Sequence, residues 1–314
     1  MPTNDYTPSF FFKNGHVNTM YSSLFRKTKP LPFKRKRITT PDDDFLDIDL
    51  LENGSDKIVI LCHGLEGSSD SKYIQASAAL LAKNGYAVAA MNYRFCSGEI
   101  NRRLITYHSG RTEDLHAVIN TVLPDYNAVY LLGFSLGGNL VLKYNGDGIY
   151  PLHPKIKASV AISVPVDLHG SSIKLQDLKN RLYTWRFLRT LSNKVRLKHQ
   201  QFPDQVPIDR LKKVKKLIDF DEYFTAALNG FKNAQDYYAK ASSKPFLKSI
   251  SRPTLLINAL DDPFLSESCF PNAEAQENPH FSLITPRYGG HVGFVSTGKH
   301  YWSELEILRF LKKY

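Results

Sequence analysis

Cysteine is scarce in this chain, with three residues in 314, and Cys62, Cys96 and Cys269 stand far apart. An odd number without a Cys-x-x-Cys pair excludes a disulfide framework or a zinc cluster as the organising device, so the thiols read as buried and free. His-Glu-x-x-His is missing, as are a P-loop and a Gly-x-Gly-x-x-Gly after any strand-like run, and no metal or cofactor is expected. No apolar run approaches the length needed to cross a bilayer. The opening residues Met1-Pro2-Thr3-Asn4-Asp5-Tyr6 lack the basic and apolar regions of a secretion signal, which points to a soluble, cytoplasmic protein. No RNA-recognition, homeodomain or zinc-finger signature accompanies the net charge of +11, so nucleic acid is not an expected partner.

What is present is ample material for a core: 42% of the residues are hydrophobic and 23% charged, the balance of an ordinary globular enzyme. The basic clusters Lys34-Arg35-Lys36-Arg37 and Lys212-Lys213-Val214-Lys215-Lys216 read as solvated faces, with weak contact to an anionic membrane surface as their other use. Residues 1–33 are aromatic-rich, broken by Pro8, Gly15, Pro30 and Pro32, and expected to wrap the core irregularly. Residues 33–39 and 45–51 read as a hairpin around Thr40-Pro41-Asp42-Asp43-Asp44, whose aspartates lack calcium-loop spacing and read as a solvated turn.

The apolar run over residues 57–62 fits a strand buried on both faces, and the glycine-rich loop His63-Gly64-Leu65-Glu66-Gly67-Ser68-Ser69 follows it. A helix over residues 73–84, a strand over 86–93, a helix over 112–123, the apolar strand run that begins at Tyr130 and a further strand over 157–164 come next. Strands alternating with helices imply an α/β fold with a mostly parallel central sheet and helices on both faces. From residue 167 to 252 the alternation gives way to helical sequence rich in Lys, Leu, Phe and Tyr, too long for a structureless loop. The expected organisation is a core of residues 1–166 and 253–314 with a helical lid inserted at 167–252. The aromatics of residues 182–188 and 220–231 are equally compatible with a lid core and with a pocket lining. The sheet resumes over 253–260 and near 281–285, and a helix from residue 302 closes the chain.

The pivotal stretch is Tyr130-Leu131-Leu132-Gly133-Phe134-Ser135-Leu136-Gly137-Gly138-Asn139. An apolar strand, a Gly-x-Ser-x-Gly pentad and a helix in succession form a nucleophile elbow, which lifts the serine hydroxyl above the sheet and needs small neighbours where strand and helix nearly touch. A serine hydroxyl becomes nucleophilic only when a base takes its proton and a carboxylate orients that base. Hydrolases built on this elbow carry the three in the order Ser, Asp, His, and here Ser135 is followed by Asp261-Asp262-Pro263 after a later strand and by Gly289-Gly290-His291 after the last one. Asp262 is the expected acid, being the residue directly before proline, and Asp261 is expected to cap the loop. His291 is the expected base; His280 and His300 read as structural and His63 as a loop-packing residue. Two backbone N–H groups, those of Leu65 after the first buried strand and of Leu136 after the serine, are the expected oxyanion donors.

These blocks, with Asn92-Tyr93-Arg94-Phe95-Cys96-Ser97-Gly98-Glu99, Tyr107-His108-Ser109-Gly110, Asn14-Gly15-His16 and Phe220-Asp221-Glu222-Tyr223-Phe224-Thr225, resemble the YheT-like branch of α/β-hydrolases, also called AB-hydrolase family 4. The likeness covers nearly the whole chain. Phe95 departs from it, standing where the family has glycine, which bears on local loop shape. The resemblance implies an α/β-hydrolase fold and esterase or lipase-like activity on carboxylic esters. The leading expectation is a carboxylesterase-type serine hydrolase acting through an acyl-enzyme on a small-molecule acyl ester or lipid of short to medium chain. Acyl transfer to an alcohol by the same residues, or a non-catalytic scaffold whose basic lid binds a membrane or protein, are the alternatives.

Overall fold

A computed structural model describes residues 6–314; residues 1–5, part of the segment read as free of a secretion signal, lie outside them. The described strands are β1 (Lys34–Thr39), β2 (Phe45–Leu51), β3 (Lys57–Cys62), β4 (Ala87–Asn92), β5 (Ala128–Phe134), β6 (Ile156–Ile162), β7 (Thr254–Ile257) and β8 (Phe281–Ile284). They form one sheet in the order β1-β2-β4-β3-β5-β6-β7-β8. Only the β1/β2 and β2/β4 pairs are antiparallel; every later pair is parallel. Cys62 faces Gly133 in the β3/β5 register, which brings the glycine-rich loop and the elbow to the same sheet edge.

Helices α1 (Gly15–Leu24), α2 (Lys72–Lys83), α3 (Thr112–Val122), α4 (Leu136–Gly146), α9 (Asn272–Glu277) and α10 (Trp302–Leu311) surround the sheet, with four others inserted between β6 and β7. Alternate residues of each central strand feed opposite cores. Val59 and Leu61 pack with Ile74 and Leu81 of α2 and Ile307 of α10, while Ile58 and Ile60 pack with Leu115 and Ile119 of α3 and Leu140 of α4. Complete burial of such side chains contributes about 1.5–3 kcal/mol each, which explains why these strands read as continuous apolar runs. The inserted elements are α5 (Leu168–Lys174), α6 (Arg181–Gln201), α7 (Leu217–Phe220) running into a π-turn over Asp221–Ala226, and α8 (Ala234–Ala241). No helix among the described residues is long and apolar enough to cross a membrane.

Two local expectations need correction. Residues 1–33 were expected to be irregular, but α1 lies within them, capped by Asn14, whose side chain accepts the N–H groups of His16 and Val17 at 3.0 and 3.2 Å. The helix escapes the periodicity rule because it buries Gly15, Asn18, Thr19 and Ser22 and turns Val17, Tyr21 and Leu24 outward, the reverse of an amphipathic pattern. The aspartate turn is not simply solvated either. Asp44 is fully buried and Asp42 half-buried; together with Asp114 they surround the buried Arg94 guanidinium at 2.7–3.1 Å. Asp43 alone projects into solvent.

Candidate active site

Ser135 joins β5 to α4 with φ 53° and ψ −119°, a left-handed strain that a tight strand-to-helix reversal imposes. The glycines around it are obligatory on steric grounds. A Cβ on Gly133 would meet the backbone of Gly137 and Gly138, and one on Gly137 would meet the carbonyls of Cys62 and His63. Ser135 Oγ lies 2.8 Å from His291 Nε2, and His291 Nδ1 lies 2.9 and 3.2 Å from the two oxygens of buried Asp262. A carboxylate can only accept, so Nδ1 carries the proton and Nε2 is left to receive the serine's. Asp262 is further fixed by the Phe264 N–H at 2.9 Å.

Asp261 does not reach the imidazole; it accepts the Gly290 N–H at 2.8 Å and so holds the histidine loop from below. Burial, helped by the nearby charge of Asp262, pushes its carboxyl up to about 6. The same loop is gripped from two further sides. The His291 N–H donates to Thr19 Oγ1 at 2.8 Å, the Thr19 hydroxyl donates to the Gly15 carbonyl at 2.7 Å, and the Val292 N–H donates to Ser163 Oγ at 2.9 Å. Gly290 has φ 56° and presses against the Gly15 carbonyl and Thr19, leaving no room for a side chain. Sequence reasoning did not find Thr19, Gly15 or Ser163. The block Asn14-Gly15-His16 marks the place, but nothing in its composition says what it touches.

Leu136 opens α4, so its N–H has no carbonyl four residues earlier and points out with the positive end of the helix dipole. Leu65 sits between two N–H groups that are already engaged: Gly64 donates to the Tyr73 hydroxyl at 2.8 Å and Glu66 to the Tyr107 hydroxyl at 3.0 Å. Among the described residues neither the Leu65 nor the Leu136 N–H has a backbone acceptor, and both residues line the cavity with Ser135 and His291. Glu66 has φ 55° and is clamped by Tyr107 at 2.6 Å and by Lys194 of α6 at 2.8 Å. His63 lies buried beneath this loop, its Nδ1 2.7 Å from the Gly64 carbonyl. Burial pushes its imidazole down to about 3, so it stays neutral and packs, as expected. His280 is exposed at the start of β8 and His300 pairs with Glu304 at 3.7 Å, both away from the serine.

Ser135 and His291 face a cavity that runs into the inserted helices, with walls that include Leu175, Phe187, Leu191, Phe220, Phe224 and Leu228. The aromatics of residues 182–188 and 220–231 therefore divide: Phe187, Phe220 and Phe224 line the cavity, whereas Leu182 and Trp185 face outward. Asp221 is a carboxylate in this apolar wall, held by the hydroxyls of Thr225 and Tyr238 at 2.7 Å each, and burial pushes it up to about 6. Phe95 adopts φ 62°, which explains why glycine suits this position, and its ring also lines the cavity. Asn139 ties the elbow helix to the insertion, donating to the Ser109 and Ala241 carbonyls at 3.0 and 2.8 Å and accepting the Ser243 N–H at 2.8 Å. The arrangement supplies an activated hydroxyl, a base with an oriented tautomer, open N–H donors and an apolar chamber, which together suit acyl transfer through a covalent serine ester.

Residues 57–295 match the family model of the alpha/beta hydrolase fold. The chain is 32% identical to YheT of Escherichia coli (strain K12), with 99% of this chain and 94% of that protein covered. It is 31% identical to Phospholipase ABHD3 of Homo sapiens, over 93% of this chain and 74% of the relative. Among solved structures, the Pyrococcus furiosus esterase Pf2001 superposes with a TM-score of 0.61 at 19% identity, covering 92% of this chain and 98% of the other, a likeness of fold.

Proposed function

This chain belongs to the alpha/beta hydrolase fold family, and we propose that it is a serine carboxylic-ester hydrolase with Ser135 as nucleophile, His291 as base and Asp262 as the acid that orients it. The observation that carries the reading is the unbroken line of short contacts from Asp262 through His291 to Ser135 Oγ beside an apolar cavity. The phospholipase relative supports an acyl ester as the substrate class.

Ser135 Oγ adds to the ester carbonyl carbon while its proton passes to His291 Nε2. The carbonyl oxygen becomes an oxyanion facing the Leu65 and Leu136 N–H groups, each worth roughly a hundred- to a thousandfold in rate. Collapse breaks the bond to the alcohol oxygen, which leaves with the proton from His291, and the acyl group stays on Ser135. Water then attacks, gives its proton to His291, and the acid departs as the serine is restored. Asp262 remains ionised throughout and stabilises the imidazolium. The inserted helices act as a lid whose apolar chamber, lined in part by Phe95 and Phe187, holds an acyl chain of short to medium length.

Turnover of p-nitrophenyl esters from acetate to laurate tests the reading. The wild-type protein is expected to hydrolyse them and Ser135→Ala to lose at least about ten-thousandfold in kcat. Equal rates in the two proteins would refute it. A fluorophosphonate adduct on Ser135 separates the enzyme from a non-catalytic scaffold, which would stay unlabelled.

A further inference from the structure

We infer that this protein docks on anionic lipid bilayers through a face built from the N-terminal segment and the first half of α6, and draws its acyl substrate from that surface. The apolar part of the face is unusual for exposed residues. Phe10 and Phe11 are 80% and 78% exposed and Phe25 65%, while Leu178 and Trp185 are 81% and 57% exposed. Scattered singly these would need no explanation, but they fall in two strips that adjoin. His16 of α1 stacks on Tyr183 of α6 with ring centroids 5.9 Å apart, and its Nδ1 lies 3.4 Å from the tyrosine hydroxyl. Leu182 and Trp185 of α6 lie three residues apart on one helix face, and Leu178 is exposed on the 3-10 turn (Leu178–Asn180) that leads into it.

The charge around this face identifies its occupant. Residues 6–33 hold four Lys or Arg and no Asp or Glu; residues 178–201 hold seven and none. These eleven account for the whole net charge of +11, since the rest of the chain balances 30 basic residues against 30 acidic ones. Three of the eleven turn inward: Arg26 pairs with Glu304, Lys194 with Glu66, and Lys198 binds the Asn101 and Arg103 carbonyls. The other eight are exposed, with Arg181, Arg186 and Arg189 flanking the apolar stripe and the Arg189 guanidinium 5.6 Å from the Trp185 ring centre. Aromatic and leucine side chains ringed by arginine and lysine, with the one acid beside Leu178, Asp177, paired to Lys174 at 2.8 Å, match the interfacial layer of a bilayer carrying anionic headgroups. A partner protein or a second copy would need acidic groups to answer the same charge.

The face also borders the candidate catalytic centre. Tyr183 packs on Phe264 at 4.8 Å between centroids, and Phe264 packs on His291 at 4.3 Å, so two rings separate the docking surface from the imidazole. This part of the inference rests on the hydrolase reading; the docking itself does not.

Vesicle co-sedimentation of the Ser135→Ala protein separates the two. It is expected to partition onto phosphatidylcholine vesicles containing phosphatidylglycerol, to do so far less onto phosphatidylcholine alone, and to shift Trp185 emission to the blue on binding. Leu182→Ser with Trp185→Ser, or Phe10→Ser with Phe11→Ser, lowers partitioning at least about tenfold, and each of Arg181, Arg186 and Arg189 changed to Gln lowers it about fivefold. The same changes in otherwise wild-type protein leave p-nitrophenyl acetate turnover unaltered while lowering hydrolysis of vesicle-borne esters. Absence of partitioning onto anionic vesicles, unchanged partitioning in the variants, or a concentration-dependent dimer that these substitutions abolish would overturn docking. Binding without any ester turnover would retain the surface and sink the hydrolase reading.

Discussion

Asp261 and Asp262 are adjacent in sequence and opposite in role, and backbone direction decides between them. Asp262 meets the imidazole at 2.9 Å, whereas Asp261 meets the Gly290 N–H at 2.8 Å. Asp262→Asn is expected to lower kcat for a soluble ester by about ten-thousandfold with little change in KM, because the imidazole then settles in the wrong tautomer. Asp261→Asn keeps an acceptor for Gly290 and is expected to stay within about tenfold of wild type. Its signature is in stability. A carboxyl raised from 3.8 to about 6 in the fold favours the native state fully below pH 3.8 and loses that contribution as pH rises through about 6. Asn at this position does not ionise, so thermal unfolding should show the variant gaining on wild type from acid toward neutral pH. A flat difference across that range would refute the assignment. The sequence made the preference for Asp262 legible through the following proline, but the partner of Asp261 belongs to a loop 29 residues away and was not legible.

At the scale of elements, α1 is the part that sequence reading missed and the part that braces the candidate base. It missed because periodicity seeks an apolar buried face, and α1 buries Asn18 and Thr19 against the loop that carries His291, where they accept the Val295 and His291 N–H groups. Those small polar groups take up backbone N–H groups that a tight loop cannot pair internally. Thr19→Val removes the acceptor for the His291 N–H and leaves that partly buried group unpaired, at a cost of up to about 1–3 kcal/mol. The expected result is a fall in kcat with KM nearly constant, and recovery of kcat in Thr19→Ser, which keeps the hydroxyl; a purely structural role would move stability alone. The strands and the elbow were legible for the opposite reason. Residues 57–62 coincide with β3 and residues 45–51 with β2, because strands buried on both faces or paired in a hairpin leave a local signature. The aspartate turn was misjudged, since spacing says nothing of the arginine that arrives from residue 94.

For the whole molecule, charge is sorted in space more sharply than composition suggests. Asp42, Asp44, Asp47 and Asp49 lie around the antiparallel end of the sheet. Burial opposes their ionisation, but hydrogen bonds from Arg94, Asn101, Arg37 and Arg35 respectively outweigh it and hold each carboxyl below its usual range. Such groups stabilise the fold above the ordinary carboxylate range and cease to do so as pH falls through their lowered values, so acid unfolding should begin in this quarter. Arg94→Met would strand Asp44 and Asp114 and cost about 3–5 kcal/mol, measurable by denaturant unfolding at neutral pH. The cationic excess gathers instead in residues 6–33 and 178–201. By itself the sequence determined the alternating strands and helices, the elbow and the order of Ser135, Asp262 and His291, because each follows from local periodicity or from a turn that only certain residues can make. Only the tertiary structure decided which carboxylate faces the imidazole, which aromatics line the cavity and which meet solvent, and that a polar helix near the N-terminus supports the loop that carries His291. Those outcomes depend on side chains far apart in the chain meeting at one sheet edge, and no local pattern encodes such meetings.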